Sequence, residues 1–382
     1  MRLLHAERLE FEEFYDTQIP RYLILSHRWG EKEVSYQQMK KKRAEEGPGL
    51  TKILNFCTLA RGGGYTWVWV DTCCIDKKSS AELSEAINSM FKWYKSAEEC
   101  VVLLSDVSLG VKGVDDEDFQ AEFAASSWFT RGWTLQELLA PRQLTFCDME
   151  WKEIGDKGSL RGMVSAITGI NKNFIAQDKY RPLAVDFANV AMRMSWAAKR
   201  KTSRSEDMAY SLLGLFDVNM PLLYGEGAEK AFVRLQTEII QKSDDETIFA
   251  WTANVPQAGM LATDPSFFAD AGAIQSAPAY GYGELRYWMT NKGLALQIPD
   301  SEWPADTSHK SNTVIVVPIH VQSDSHVDLG IQLQCMNTRN IWCRTMCQSL
   351  MCLPKRSRVF SRKEDTSHVI YIRAGKFVTE AT

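Results

Sequence analysis

The run Tyr22-Leu23-Ile24-Leu25-Ser26-His27-Arg28-Trp29-Gly30 decides the fold. Four apolar residues in succession stop at Ser26 and give way to polar and ionisable groups. An apolar run without alternation suits a strand covered on both faces, as strands of a parallel sheet are. Two later runs repeat the pattern. Trp67-Val68-Trp69-Val70 ends in Asp71-Thr72-Cys73-Cys74-Ile75-Asp76, and Val101-Val102-Leu103-Leu104 ends in Ser105-Asp106. A fourth strand is expected at Leu144-Thr145-Phe146-Cys147, and Met1 to Leu9 alternates weakly, as a short edge strand would.

Helical patterns separate the runs. Residues 33–46 read as a polar, basic helix closed by Gly47-Pro48-Gly49, and a second helix is expected at about 50–61 before Gly62-Gly63-Gly64. Leu83, Ile87, Met90, Phe91 and Tyr94 share a helical face, with Ser79 and Glu82 as a capping box that accounts for Glu82 structurally. Strands alternating with helices predict a parallel sheet with right-handed crossovers, which binds ligands beyond the carboxyl ends of its strands. That places Ser26, His27, Arg28, Trp29, Asp71, Cys74 and Asp76 around one crevice.

After the third run comes Ser126-Ser127-Trp128-Phe129-Thr130-Arg131-Gly132-Trp133-Thr134-Leu135-Gln136-Glu137-Leu138-Leu139-Ala140-Pro141. Thr130 reads as the helix N-cap and Pro141 as its stop. Trp133 and Glu137, four apart, fall on one face, while Leu135, Leu138 and Leu139 turn to a core. In isolation Glu137 is a partly exposed acid beside a packing indole. Next to a polar crevice it becomes a candidate catalytic carboxylate, with Arg131 and Trp133 beside it.

From about 155 to 245 the pattern is helical, with stripes at Phe187/Val190/Met194, Met208/Leu212/Leu215 and Phe232/Leu235/Ile239 that suit core packing. Lys199-Arg200-Lys201 with Arg204 reads as a solvated helix end. Gly225-Glu226-Gly227 superficially resembles a phosphate loop but lacks the Walker spacing. After Pro256, runs such as Leu294–Ile298 and Val314–Val317 predict a β-rich region. The expected domains are therefore 1–155 (α/β), 156–250 (helical, packed on the first) and 257–382 (β-rich).

Composition narrows the function. A net charge of −4 gives no electrostatic footprint for nucleic acid, and no run approaches the roughly 18 apolar residues of a membrane span. Nine cysteines, an odd number, suit reduced thiols in a cytoplasmic or nuclear setting, of which the cytoplasmic is expected. Cys343, Cys347 and Cys352 do not have zinc-ligand spacing, so no metal is expected. Cys73 or Cys74 beside His27 could form a cysteine-nucleophile site, although buried cysteines are usually inert.

Three blocks, Tyr22–Gly30, Trp69–Asp76 and Arg131–Glu137, resemble in order and spacing the signature blocks of the fungal heterokaryon-incompatibility (HET) domain family. Ser211–Phe216 and Leu223–Gly227 are similar to what commonly follows in it. Lys77 stands where many members have Gln. The resemblance implies a role in non-self recognition and regulated cell death, and a fold remotely similar to the Toll/interleukin-1 receptor (TIR) domain, a flavodoxin-like parallel sheet. Some TIR domains cleave NAD at the nicotinamide–ribose bond with the Glu of a Trp-x-x-x-Glu pattern, which Trp133 and Glu137 match. The implied activity is thus NAD hydrolysis without a cofactor, NAD being the substrate. Arg28 would face the pyrophosphate, Trp29 or Trp133 would stack on a flat ring, and Asp71 or Asp76 would orient the loops. Self-association or an activating protein partner is expected. The alternative is a non-catalytic signalling module using the same crevice for nucleotide binding or homotypic assembly.

Overall fold

The computed structural model describes residues 1–111, 113–176, 185–276, 285–299, 314–323, 327–337, 341–353 and 367–372. Two compact units divide the chain. Unit 1 is Met1–Val185 with Arg200–Ser203 and Tyr210–Leu222; unit 2 is Asp186–Lys199, Arg204–Ala209 and Leu223–Thr382.

Unit 1 is built on a seven-stranded sheet. Its strands are β1 (Arg2–His5), β2 (Phe11–Glu13), β3 (Tyr22–His27), β4 (Trp67–Trp69), β5 (Glu99–Leu103), β6 (Leu144–Cys147) and β7 (Glu153–Asp156), in the order β2-β1-β4-β3-β5-β6-β7. The four apolar strands β4, β3, β5 and β6 are mutually parallel. All six residues of β3 are buried, as its unbroken apolar run requires. The first parallel strand thus lies between the second and third, and the strand order reverses beside it. β1 is not the edge that was expected. Leu3 and Leu4 are fully buried, and β1 pairs antiparallel with both β4 and β2, leaving β2 outermost.

The helices of unit 1 depart from the sequence reading at their ends. α1 covers only Tyr36–Lys40: Ser35 and Gln38 cap it reciprocally, and Lys42 turns the chain out with a φ of 52°. Pro48 opens α2 (Pro48–Gly62) from its first turn instead of closing the helix before it. A single turn, α3 (Asp71–Cys74), follows β4 directly. Ser79 caps α4 (Ser80–Ser96), but Glu82 does not complete a capping box. Its carboxylate accepts from Arg2 at 2.6 Å and from the Asp76 N–H at 2.7 Å, tying β1 to the loop after α3.

After α5 (Glu117–Ala125) comes α6, which spans Thr134–Leu139 and starts three residues later than a Thr130 cap would place it. Residues 130–132 are held as a bridge instead. The Lys201 N–H donates to Thr130 O at 2.7 Å and the Gly132 N–H to Lys201 O at 2.8 Å. A Cβ on Gly132 would come within 2.5 Å of the Thr202 methyl carbon, so only glycine permits the approach.

Unit 2 combines helices Val190–Ala197 and Ala228–Lys242 with a mainly antiparallel sheet that is nine-stranded among the described residues. Val190, Met194, Phe232, Leu235 and Ile239 are buried as their spacing predicts. Phe187 is the exception, 73% exposed, because it sits in a separate short turn of 3-10 helix. Arg344 is fully buried in this unit. It donates to the carbonyls of Phe249 (2.9 Å) and Trp251 (2.6 Å), with its guanidinium 3.9 Å from the Trp251 ring centroid.

Candidate functional site

The carboxyl ends of β3 and β4 and the start of α6 bring most of the expected residues of unit 1 into two adjoining groups. The first is centred on Ser26, next to last in β3. Its hydroxyl accepts from the Trp128 indole N–H at 2.8 Å and donates to Glu137 Oε2. Asp106, beyond the end of β5, delivers Trp128 to this position. Its carboxylate accepts from the Ser126 hydroxyl at 2.7 Å and the Ser127 N–H at 2.8 Å.

Glu137 is therefore at the strand ends, but it does not project into an open groove: only 8% of its surface is exposed. Burial pushes its carboxyl up to about 7; the Ser26 hydrogen bond opposes this, the charge of Asp71 adds to it, and Arg131 and Tyr94 oppose it. Tyr94 is itself buried, donating to Leu25 O at 3.1 Å. Arg200, assigned from sequence to a solvated cluster, is instead 6% exposed. It donates to Arg131 O at 2.9 Å and Thr134 Oγ1 at 3.0 Å. Burial brings the Arg200 pKa down to about 10, against the pull of the Glu137 charge.

The second group surrounds His27, which is 4% exposed. Its Nε2 lies 3.8 Å from Glu33 Oε1 and 3.9 Å from Asp71 Oδ1, beyond hydrogen-bond reach of both, and neither ring nitrogen has a hydrogen-bond partner. Asp71 Oδ1 and Glu33 Oε2 are likewise buried without one. Their other oxygens are engaged. The Trp29 indole N–H donates to Asp71 Oδ2 at 2.7 Å, while Lys52 and the Gly30 N–H both reach Glu33 Oε1 at 2.6 Å. Burial alone would raise the Glu33 carboxyl, yet His27, Lys52 and the Gly30 N–H together hold it down at about 2.

Above this group the Trp29 ring is 42% exposed. The Lys77 ammonium lies 3.5 Å from its centroid and the Arg131 guanidinium 5.2 Å. Although Lys77 keeps much of its surface in solvent, packing over the indole desolvates its ammonium and lowers its pKa, against the pull of Asp71 and Glu33.

The remaining expected residues are more scattered. Arg28 is exposed beside Trp29, and Trp133, half-buried, precedes α6 at its N-cap. Asp76 accepts from Gln37 at 2.6 Å and from the Lys78 N–H at 3.1 Å, which orders its loop. Cys74 is buried inside α3, its sulfur accepting from the Val70 N–H at 3.4 Å. Cys73 is fully buried, and its hydrogen bond to Cys74 together with desolvation pushes its thiol well up, the opposite of an activated nucleophile.

Sequence reasoning missed Trp128, Glu33, Tyr94 and Arg200. The Trp-x-x-x-Glu spacing drew attention to Trp133, whereas the indole that shares a hydroxyl with Glu137 is nine residues before it, outside any helical register. Nothing in the spacing of Glu33 separates it from its charged neighbours. Among the described residues, no group of three or more His, Cys, Asp or Glu is placed to hold a metal ion. None of the helices described is long and apolar enough to cross a membrane.

Residues 22–116 match the family model described as heterokaryon incompatibility protein (HET), a span that covers the His27 group and stops before Glu137. The chain is 50% identical over 224 residues to vegetative incompatibility protein HET-E-1 of Podospora anserina; the match covers 58% of this chain and 16% of that relative. The chain thus spans a small part of the length of the relative it matches. No solved structure matches it. The family-model match takes in the first two signature blocks read from the sequence, and residues 22–116 of this chain are thereby a heterokaryon incompatibility (HET) domain match; the third block, Arg131–Glu137, lies beyond it.

Proposed function

We propose that this chain is a fungal incompatibility effector whose N-terminal unit hydrolyses NAD at the nicotinamide–ribose bond, with Glu137 as the catalytic carboxylate. The name of the Podospora relative supports the incompatibility role. One observation carries the chemistry: Glu137 is tied to Ser26 at the carboxyl end of β3, beside the point where the parallel strand order reverses. Open parallel sheets place ligands at that point. The central order, second-first-third-fourth, is that of a flavodoxin-like sheet, which supports the TIR-like reading.

Nicotinamide is a good leaving group. When the C1′–N bond breaks, its electron pair neutralises the pyridinium, so no proton donor is needed. Positive charge then grows on the ribose, where a nearby carboxylate stabilises it. Water adds at C1′ and gives up a proton, and a carboxyl with a pKa of about 7 is matched to accept it near neutral pH. The products are nicotinamide and ADP-ribose.

The test is nicotinamide release from NAD at high concentration, across protein concentrations that favour self-association. Wild type should release it and Glu137→Gln should not; NAD left intact beside an active control enzyme would sink the proposal. The 8% exposure of Glu137 favours a second reading, a non-catalytic module that binds nucleotide or assembles through the same crevice. On that reading Glu137→Gln leaves toxicity and assembly unchanged.

A further inference from the structure

We propose that Glu33, His27 and Asp71 form a subsite for the vicinal hydroxyls of a ribonucleotide sugar, beneath a Trp29 platform. This deepens the nucleotide reading of the same crevice and rests on it, without requiring that the nucleotide be cleaved. Asp71 Oδ1, Glu33 Oε2 and both nitrogens of His27 are buried with no hydrogen-bond partner. They belong to side chains grouped around a single imidazole, with His27 Nε2 3.8 Å from Glu33 and 3.9 Å from Asp71. Buried polar atoms are nearly always satisfied, so this cluster is built to receive a hydrogen-bonding guest.

Charge decides which guest. Lys52 lies 2.6 Å from Glu33, and Lys77 acts on both Asp71 and Glu33. Glu33 is thus already paired with an ammonium group and Asp71 lies in the field of another, so a cationic guest gains little there. The guest must be neutral and must donate at least twice, once to each free carboxylate oxygen, while His27 donates to or accepts from it. A ribose cis-diol meets these terms.

The surroundings fit the rest of a nucleotide. The half-exposed Trp29 indole already carries the Lys77 ammonium 3.5 Å from its ring centroid, with the Arg131 guanidinium at 5.2 Å, and these two cations supply charge for phosphate. Glu33 thereby becomes a ligand-binding residue, and Asp71 acts in two ways: one oxygen anchors Trp29 and the other takes a sugar hydroxyl.

The experiment compares ADP with 2′,3′-dideoxy-ADP by isothermal titration calorimetry on the intact chain, together with the Glu33→Gln and Asp71→Asn variants. ADP should bind at least about tenfold more tightly than the dideoxy analogue, and each variant should shrink that ratio. EDTA should change nothing. Equal affinity for the two nucleotides, an undiminished ratio in both variants, no binding of ADP, or loss of binding on chelation would overturn the subsite. If a variant does not fold, the wild-type ratio alone decides. The outcome is separable from the cleavage reading: ADP discrimination without nicotinamide release removes the hydrolase and keeps the subsite, and release without discrimination does the reverse.

Discussion

The Glu137 carboxyl can be tested without any substrate. Its pKa in the folded chain is about 7, against an ordinary 4.5, because burial disfavours the charge. Between those two values the folded chain holds a proton that the unfolded chain has released. The resulting stability is complete below pH 4.5 and is lost as pH rises to 7 and above. The difference between the two values corresponds to about 3 kcal/mol. Glu137→Gln keeps the shape, can still accept from Ser26, and removes the ionisation. Relative to wild type, the variant should therefore gain about 3 kcal/mol on going from pH 4.5 to pH 8. Urea unfolding at a series of pH values, read by hydrogen exchange in the Thr134–Ala140 segment, reports on unit 1. Taking the difference between the two proteins cancels every other titrating group. Parallel pH dependences in wild type and variant would refute the burial argument, and a difference of opposite sign would show that the carboxylate is the stabilised form.

Two more predictions concern unit 1 and one concerns unit 2. Ser26→Ala removes the hydroxyl that favours ionised Glu137, so the carboxyl should titrate about one unit higher, measured by carbon-13 NMR of labelled Glu; an unchanged value would exclude a functional Ser26–Glu137 bond. Gly132→Ala drives a Cβ to within 2.5 Å of the Thr202 methyl carbon and should cost about 1–3 kcal/mol, and Thr202→Ser in the same chain should recover part of it by thermal melting. Arg344→Ala strips the buried carbonyls of Phe249 and Trp251 of their donors and opens a cavity, so unit 2 should lose about 3–5 kcal/mol in denaturant unfolding.

Particular residues mark how far sequence could go. The runs at 22–25, 67–70 and 101–104 announced the parallel strands because a strand buried on both faces leaves no polar alternation, and the ionisable residues at their ends announced the crevice. Ser26, His27, Asp71 and Glu137 meet there. The sequence could not show that the Trp nearest Glu137 is Trp128, because its delivery depends on Asp106 holding Ser126 and Ser127 from another strand's end. Nor could it show that Arg200 is buried: its basic neighbours read as a surface cluster, and only pairing of residue 201 with residues 130–132 carries it inside.

Local pattern alone therefore determined where the four parallel strands lie, to within about two residues at their ends, and which polar residues follow them, since burial on both faces leaves its mark within a few residues, whereas β2 and β7, short and half-exposed, carried no such mark. Tertiary structure alone decided the sheet order, the late start of α6 and the burial that raises the Glu137 pKa. Each of these depends on which distant groups displace water from a given atom, and that information is spread over more than a hundred residues of chain.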